Sequence, residues 1–263
     1  MPGRTALIRR PGPRLADGLV THIARAPVDA ALALQQWEDY CRALRDHGWR
    51  TVEVPPADDC PDAVFVEDAM VVFRTAALIA RSGAPSRRPE TAGAEEAAEA
   101  LGLTVHRVRA PGTLDGGDVL KIGDTVYVGR SGRTDADGIR QLRAAFEPLG
   151  ARVVPVPVEK VLHLKSAVTA LPDGTVLGHP PLVGEPPAFT FPRFLPVPEE
   201  PGAHVVLLGG PHVLLSANAP RTAALLATRG LHPVPVDIGE FEKLEGCVTC
   251  LSVRVRDLPD AAG

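Results

Sequence analysis

The sequence predicts an α/β fold built from about five similar units closed on one another, and three observations carry that reading. A short apolar run, a turn and a second apolar run recur along the chain. An Ala/Arg/Glu-rich stretch of helical character follows most of these pairs, and a Val/Pro-rich strand follows the helix. The units return at a spacing of roughly 50 residues, a period that belongs to repeat architectures.

Thr5–Arg9, a helix over Asp29–His47 and the strand Arg50–Val54 make the first unit. In the second, Ala63–Ala80 splits into two strands, a helix lies near Pro89–Leu101, and Thr104–Val108 returns as a strand. Thr113–Val128 reads as a hairpin turning at Ile122-Gly123-Asp124, with a helix over Asp135–Leu149 and the strand Arg152–Val158. His163–Gly178 is a further hairpin; its turn, Pro172-Asp173-Gly174, pairs a preset φ with a residue free to adopt φ > 0. Prolines between Pro180 and Pro201 obscure the helix of that unit. His204–Leu208, Val213–Ser216, a helix over Arg221–Arg229 and the strand Pro233–Val236 follow, and a last strand runs over Thr249–Val255. No linker or low-complexity segment divides the chain, so residues 1–263 are expected to form one domain.

Composition narrows the function class. Of 263 residues, 45% are apolar and 23% charged, enough for a sizeable core. The net charge of −4 leaves no broad basic field for nucleic acid or an anionic membrane, although arginines number 24 against four lysines. Apolar stretches stop short of the roughly 20 residues of a membrane span, and Thr5-Ala6-Leu7-Ile8 is too short for a signal-peptide core. The expected location is cytoplasmic. Cys41, Cys60, Cys247 and Cys250 do not make a disulfide scaffold; Cys41 reads as helix core and Cys60 as incidental to a loop. Cys247 and Cys250 have the spacing of a redox or half-zinc motif, but no second such pair follows.

Several segments carry chemistry. In Phe65-Val66-Glu67-Asp68 two carboxylates interrupt an apolar strand, so one of them should face the interior, at a cost of several kcal/mol unless a cation or donors meet it. The bland alternative is a structural pairing with Arg74 or another arginine. Leu114-Asp115-Gly116-Gly117-Asp118 flanks two glycines with carboxylates and is also compatible with an ordinary tight turn. His163, in Leu162-His163-Leu164-Lys165-Ser166, is either a structural hydrogen-bonder or an acid/base, and Asp115 is the expected partner that would raise its pKa. Arg87 and Arg133 sit in polar loops, where most arginines are solvated; the functional version is a planar fork for a carboxylate. Glu245-Gly246-Cys247-Val248-Thr249-Cys250 brings a thiol to the start of the last strand. A thiol, a histidine and clustered carboxylates are the parts for covalent chemistry on a cation, and the reading is a cysteine hydrolase of a guanidinium group.

Taken in order, the segments around Glu67, Asp115, His163 and Thr249-Cys250-Leu251-Ser252 resemble the motifs of the dimethylarginine dimethylaminohydrolases, with Ser82–Arg88 and Gly129–Thr134 also similar to family segments. The resemblance spans about residues 5 to 255. It implies a five-bladed α/β propeller of the guanidino-group-modifying (pentein) superfamily. By that resemblance Cys250 is the nucleophile, His163 the general acid/base and Asp115 its orienting group. Glu67 and Asp68 would hold the guanidinium, Arg87 and Arg133 the α-carboxylate, and Asp62 the α-amine. Leu19 looks like the lid position, and Leu244 would line the pocket through its backbone. The implied reaction releases citrulline from methylated arginine through a thiouronium on Cys250. It needs no metal or organic cofactor, no nucleic acid and no membrane, and the enzyme would be a monomer or homodimer acting on a small guanidino compound. An arginine deiminase is the runner-up, although its chains are usually longer. A redox or zinc module on the cysteine pair leaves the carboxylates and His163 unexplained, and a substrate-binding pseudo-enzyme has no missing catalytic position to support it.

Overall fold

The computed structural model describes residues 3–183 and 191–256. Among the described residues, fifteen strands form five three-stranded sheets. In each sheet an antiparallel pair is joined by a third strand running parallel to the middle one. The first sheet joins β1 (Thr5–Ile8) and β2 (Arg50–Glu53) to β15 (Val253–Val255) from the far end of the chain. The others are β3 (Met70–Phe73), β4 (Ala76–Ile79) and β5 (Thr104–Arg107); β6 (Val119–Ile122), β7 (Thr125–Arg130) and β8 (Arg152–Pro157); β9 (Val168–Ala170), β10 (Val176–Gly178) and β11 (Phe194–Pro196); and β12 (Val205–Gly209), β13 (His212–Ser216) and β14 (His232–Val236).

Helices cross between the second and third strands of each blade: α1 (Ala30–Asp46), α2 (Thr91–Ala100), α3 (Ala136–Phe146), α4 (Pro180–Val183) and α5 (Pro220–Ala227). A short α6 (Gly239–Glu242) leads into the cysteine turn. In α1 the Asp29 carboxylate caps the helix by accepting from the Ala31 and Leu32 N–H groups at 2.9 and 3.0 Å. Its buried face, Ala33, Gln36, Trp37, Tyr40, Cys41 and Leu44, follows the three-and-four spacing of an amphipathic helix. The helix obscured by proline is one turn long at Pro180–Val183; residues 184–190 lie outside the described residues.

Five apolar clusters fill the spaces between neighbouring blades. One joins blades five and one through Ile8, Trp37 and Leu214, and the ring continues with Leu7 against Val72, Leu78 against Val126, Leu120 against Val168 and Leu177 against Val213. Every blade therefore packs on both neighbours, and β15 beside β1 closes the ring. This is the five-bladed α/β propeller that the family resemblance implied, with the five units that the repeat predicted.

One difference from expectation recurs. The first strand of each of the last four units was expected to start at Ala63, Thr113, His163 and His204, and the closing strand at Thr249. The structure starts these strands at Met70, Val119, Val168, Val205 and Val253, after a turn that is 3₁₀ helix in the first four cases. Those turns are largely buried, so they read as apolar as the strands they precede.

Candidate active site

The pre-strand turns converge. Val66–Ala69 touches Gly116–Asp118, which in turn touches Leu164–Ser166, and the Glu67 N–H donates to the Cys250 carbonyl at 3.2 Å. Gly116 and Gly117 permit the approach: a Cβ at Gly116 would collide with the Glu67 carbonyl, and one at Gly117 would lie 2.6 Å from both Asp68 Oδ1 and His163 Nδ1. Asp118 fixes the His163 turn from beneath, accepting from the Leu164 N–H at 2.9 Å and from the Ser131 and Thr134 hydroxyls at 2.6 Å.

His163 lies between two carboxylates. Its Nε2 is 3.1 Å from Asp115 Oδ2 and its Nδ1 is 3.8 Å from Asp68 Oδ1. Burial opposes charging the ring, but Asp68, the hydrogen bond to Asp115 and the charge of Asp118 outweigh it and raise the pKa to about 9. Asp115 also accepts from the Gly83 N–H at 3.2 Å and from Arg133 Nη1 at 3.3 Å. Asp68 resists burial because His163 and Arg87 lie beside it, and its carboxyl is held well below the usual range.

Arg87 is largely committed within the protein. It meets Glu90 at 2.9 and 3.0 Å and Asp68 at 2.6 Å, and it donates to the Asp62 and Phe65 carbonyls. Arg133 makes the single side-chain bond to Asp115 among the described residues, which leaves its fork more open for an anion. Asp62 accepts from the Leu19 N–H at 3.0 and 3.2 Å, which ties the loop carrying Leu19 across the cleft.

Leu19, Asp62, Asp68, Arg87, Arg133, His163, Leu244 and Cys250 line one cleft, with Asp115 directly behind His163. The cleft encloses only about 20 Å³, room for about one water, beneath the loop that carries Leu19. Phe65, Leu162, Glu245 and Gly246 also line it and had no assigned role in the sequence. Glu245 holds the loop shut by accepting from the Thr21, His22 and Ile23 N–H groups and the Thr21 hydroxyl. An acidic residue before Gly246 carried no signal of that contact; its left-handed φ of 60° is visible only in the fold.

Glu67 stands apart from this cleft. In a 3₁₀ turn successive side chains diverge by about a third of a revolution, so both carboxylates are buried but face different spaces. Glu67 pairs with Lys165 at 2.6 Å and Arg254 at 2.8 Å, beside a separate cavity, rather than with the groups around Cys250. Its partners are not the expected Arg74, which pairs with Asp124. Glu67→Gln should therefore cost about 3 kcal/mol of stability in urea unfolding, because two buried cations lose their counter-charge, while KM moves little. A large rise in KM at unchanged stability would return Glu67 to the substrate.

Cys250 sits on a turn, not on the expected strand, with its Sγ 3.3 Å from Cys247 Sγ. The hydrogen bond between the two thiols draws the Cys247 pKa down to about 5 against burial. The same shared proton, burial and the Cys247 charge push Cys250 well up, so it rests as a thiol. Donor atoms of Asp68, Asp115 and His163 lie within 4.8 Å of one another. All three are engaged by each other or by Arg87, Arg133 and backbone N–H groups, so the cluster is already neutralised by organic cations.

No family model matches the chain. It is 72% identical over 260 residues to the N(G),N(G)-dimethylarginine dimethylaminohydrolase of Streptomyces coelicolor, covering 99% of this chain and all of that one. The chain belongs to the dimethylarginine dimethylaminohydrolase family. The family's Pseudomonas aeruginosa enzyme is 37% identical over 94% of this chain and 98% of its own. A solved structure from that organism, a mutant complexed with citrulline, superposes with a TM-score of 0.89 at 36% identity, covering 97% of this chain and all of the other. The N-terminal domain of a cyanobacterial arginine dihydrolase shares the fold, with a TM-score of 0.85 at 21% identity over 98% of this chain and all of that one.

Proposed function

We propose that the chain hydrolyses Nω-methylated arginines, asymmetric dimethylarginine and monomethylarginine, to citrulline and dimethylamine or methylamine. The observation that carries this reading is one cleft in which a thiol, a charged histidine, the carboxylates of Asp62 and Asp68 and two arginine forks converge. Asp68 takes the guanidinium; at about 4 Å and an effective dielectric near 20 such a contact is worth on the order of 4 kcal/mol before desolvation is subtracted. Arg133, with the remaining donor of Arg87, takes the α-carboxylate. Asp62 exchanges the Leu19 N–H for the α-amine as the loop reopens and closes, and Leu244 borders the pocket.

The cation itself activates the nucleophile. Cys250 rests as a thiol, and a guanidinium alongside favours its thiolate, the thiol proton passing to solvent. The thiolate adds to the guanidinium carbon, and His163 protonates the departing amine. Nε2 is turned to Asp115, so Nδ1 is the nitrogen that delivers this proton. The products of that step are a thiouronium on Cys250 and a neutral imidazole. The imidazole then takes a proton from water as the water attacks the same carbon, citrulline leaves, and the thiolate is regenerated. Binding of the cation is present in the ground state too, so the rate gain lies in the thiolate and the proton transfer.

The proposal includes one catalytic domain, active in the cytoplasm as a monomer or homodimer and without a cofactor; the four free thiols suit a reducing compartment. No helix among the described residues is long and apolar enough to cross a membrane. The test is citrulline release from asymmetric dimethylarginine, monomethylarginine and arginine in parallel. Methylated substrates are expected to give citrulline with a stoichiometric methylated amine. Preferential turnover of arginine would move the reading to a deiminase.

A further inference from the structure

The hydrolase reading uses Cys250 and leaves Cys247 without a task. We propose that Cys247 and Cys250 form an oxidisable dithiol, in which a peroxide closes a reversible disulfide that removes the nucleophile and Cys247 protects it from irreversible oxidation.

The geometry is that of a pair one step from bonding. The sulfurs are 3.3 Å apart, against about 2.05 Å in a disulfide, so closure requires little more than side-chain movement. Both residues sit on one tight turn, where the Cys250 N–H donates to the Cys247 carbonyl at 3.0 Å. The turn is anchored from α1, because the Tyr40 hydroxyl donates to the Val248 carbonyl at 2.9 Å. Cys247 Sγ also lies 3.2 Å from the Thr249 hydroxyl, which aims it along the turn.

The two sulfurs face different spaces. Cys250 lines the substrate cleft, whereas Cys247 lines a larger cavity of about 250 Å³ with His204, Ser166, Ser216 and Glu242. The hydrogen bond from Cys250, with His204 from the turn before β12 lining the same cavity, lowers the Cys247 pKa and so favours its thiolate. The cavity, bordered by His22 and Ile23 on one side and by Lys160 and Glu200 on the other, brings a small oxidant to the Cys247 sulfur without crossing the substrate cleft. Two hydrogen-bonded thiols packed as small apolar groups would be the inert alternative.

The chemistry balances with a hydroperoxide as oxidant. The Cys247 thiolate attacks one peroxide oxygen, the O–O bond breaks, and a sulfenic acid and hydroxide form. The Cys250 sulfur then attacks the sulfenic sulfur; the S–S bond forms, the S–O bond breaks, and the hydroxide leaving takes the Cys250 proton as water. Each sulfur gives up one electron, and the peroxide takes two.

The test treats the full chain and Cys247→Ser with hydrogen peroxide, then follows citrulline release and the tryptic peptide Leu244–Arg254 by mass, each protein scaled to its own untreated activity. In wild type we expect the peptide to become lighter by two hydrogens and to resist alkylation, with activity lost in step and most of it restored by dithiothreitol. In Cys247→Ser we expect a loss that dithiothreitol does not restore, with two or three oxygens added at Cys250. Oxygens added at Cys250 of the wild-type peptide without loss of hydrogens, or both thiols still alkylatable after activity is gone, overturns the proposal. The activity readout rests on Cys250 being the nucleophile, whereas the mass readout does not. A failure of the hydrolase reading is therefore seen separately, and the wild-type mass decides even if the variant does not fold.

Discussion

Cys250→Ala is expected to release no citrulline from asymmetric dimethylarginine above background, a loss in kcat of at least about 10⁴-fold. A guanidinium carbon shares its charge over three nitrogens and is a poor electrophile, so direct attack by water does not substitute for the thiolate. The substitution removes one sulfur from a cleft already large enough for about one water, and the turn around it is held by backbone bonds from Glu67 and Cys247 and by Tyr40. Folding should survive, and so should binding, because Asp68, Asp62 and Arg133 remain. Calorimetric titration of the variant with asymmetric dimethylarginine should give an affinity within a few-fold of the wild-type KM, measured where chemistry limits turnover. Residual turnover near the wild-type rate would remove Cys250 from the proposed mechanism. Lost binding alongside lost turnover would show that the thiol shapes the cleft rather than reacting in it.

The pairing of chemistry with pre-strand turns also explains what the sequence discloses and what it conceals. The hairpins and crossover helices are legible because their signals are local: Asp29 before an amphipathic stretch, Gly123 and Gly174 between apolar runs. The turns holding Asp68, Asp115, His163 and Cys250 are concealed within apparent strands. Neighbours from other blades bury them, and burial erases the alternation that would separate turn from strand. Residue identity and the family resemblance nonetheless pointed to eight of the cleft residues, because Asp, Arg, His and Cys in apolar surroundings need a partner or a function. Glu67 shows the limit of that logic. The sequence showed that one of the two adjacent carboxylates faces the interior, but that both are buried, and which of them faces the cleft, depends on a rotation set by the 3₁₀ turn. The meeting of distant segments, Glu245 bonded to the loop at Thr21 and His204 lining one cavity with Cys247, leaves no local trace at all.

His163→Gln carries the second large effect, an expected fall in kcat of about 10²- to 10⁴-fold, with a diagnostic change in pH dependence. As the acid that protonates the leaving amine, His163 must start charged, and its pKa of about 9 in the free protein keeps it so through neutral pH. Wild-type kcat/KM should accordingly fall as pH rises through about 9, and the variant should lack that limb. The sign for stability runs the same way. The folded pKa lies above the unfolded value of about 6.5, so the charged ring stabilises the fold fully below pH 6.5 and loses that contribution as pH rises through 9. Glutamine cannot charge, so the variant's stability should vary less across that window, although it leaves Asp68 and Asp115 facing each other without the cation between them. A purely structural His163 would also lose stability on substitution, which is why the decisive readout is the leaving group. An arginine analogue that departs as a thiolate needs no proton, so the variant should form the thiouronium from it. Without a base to activate water, the adduct should then persist on Cys250, visible in the intact mass. Rapid turnover of both kinds of substrate by the variant would place the proton transfer on some other group.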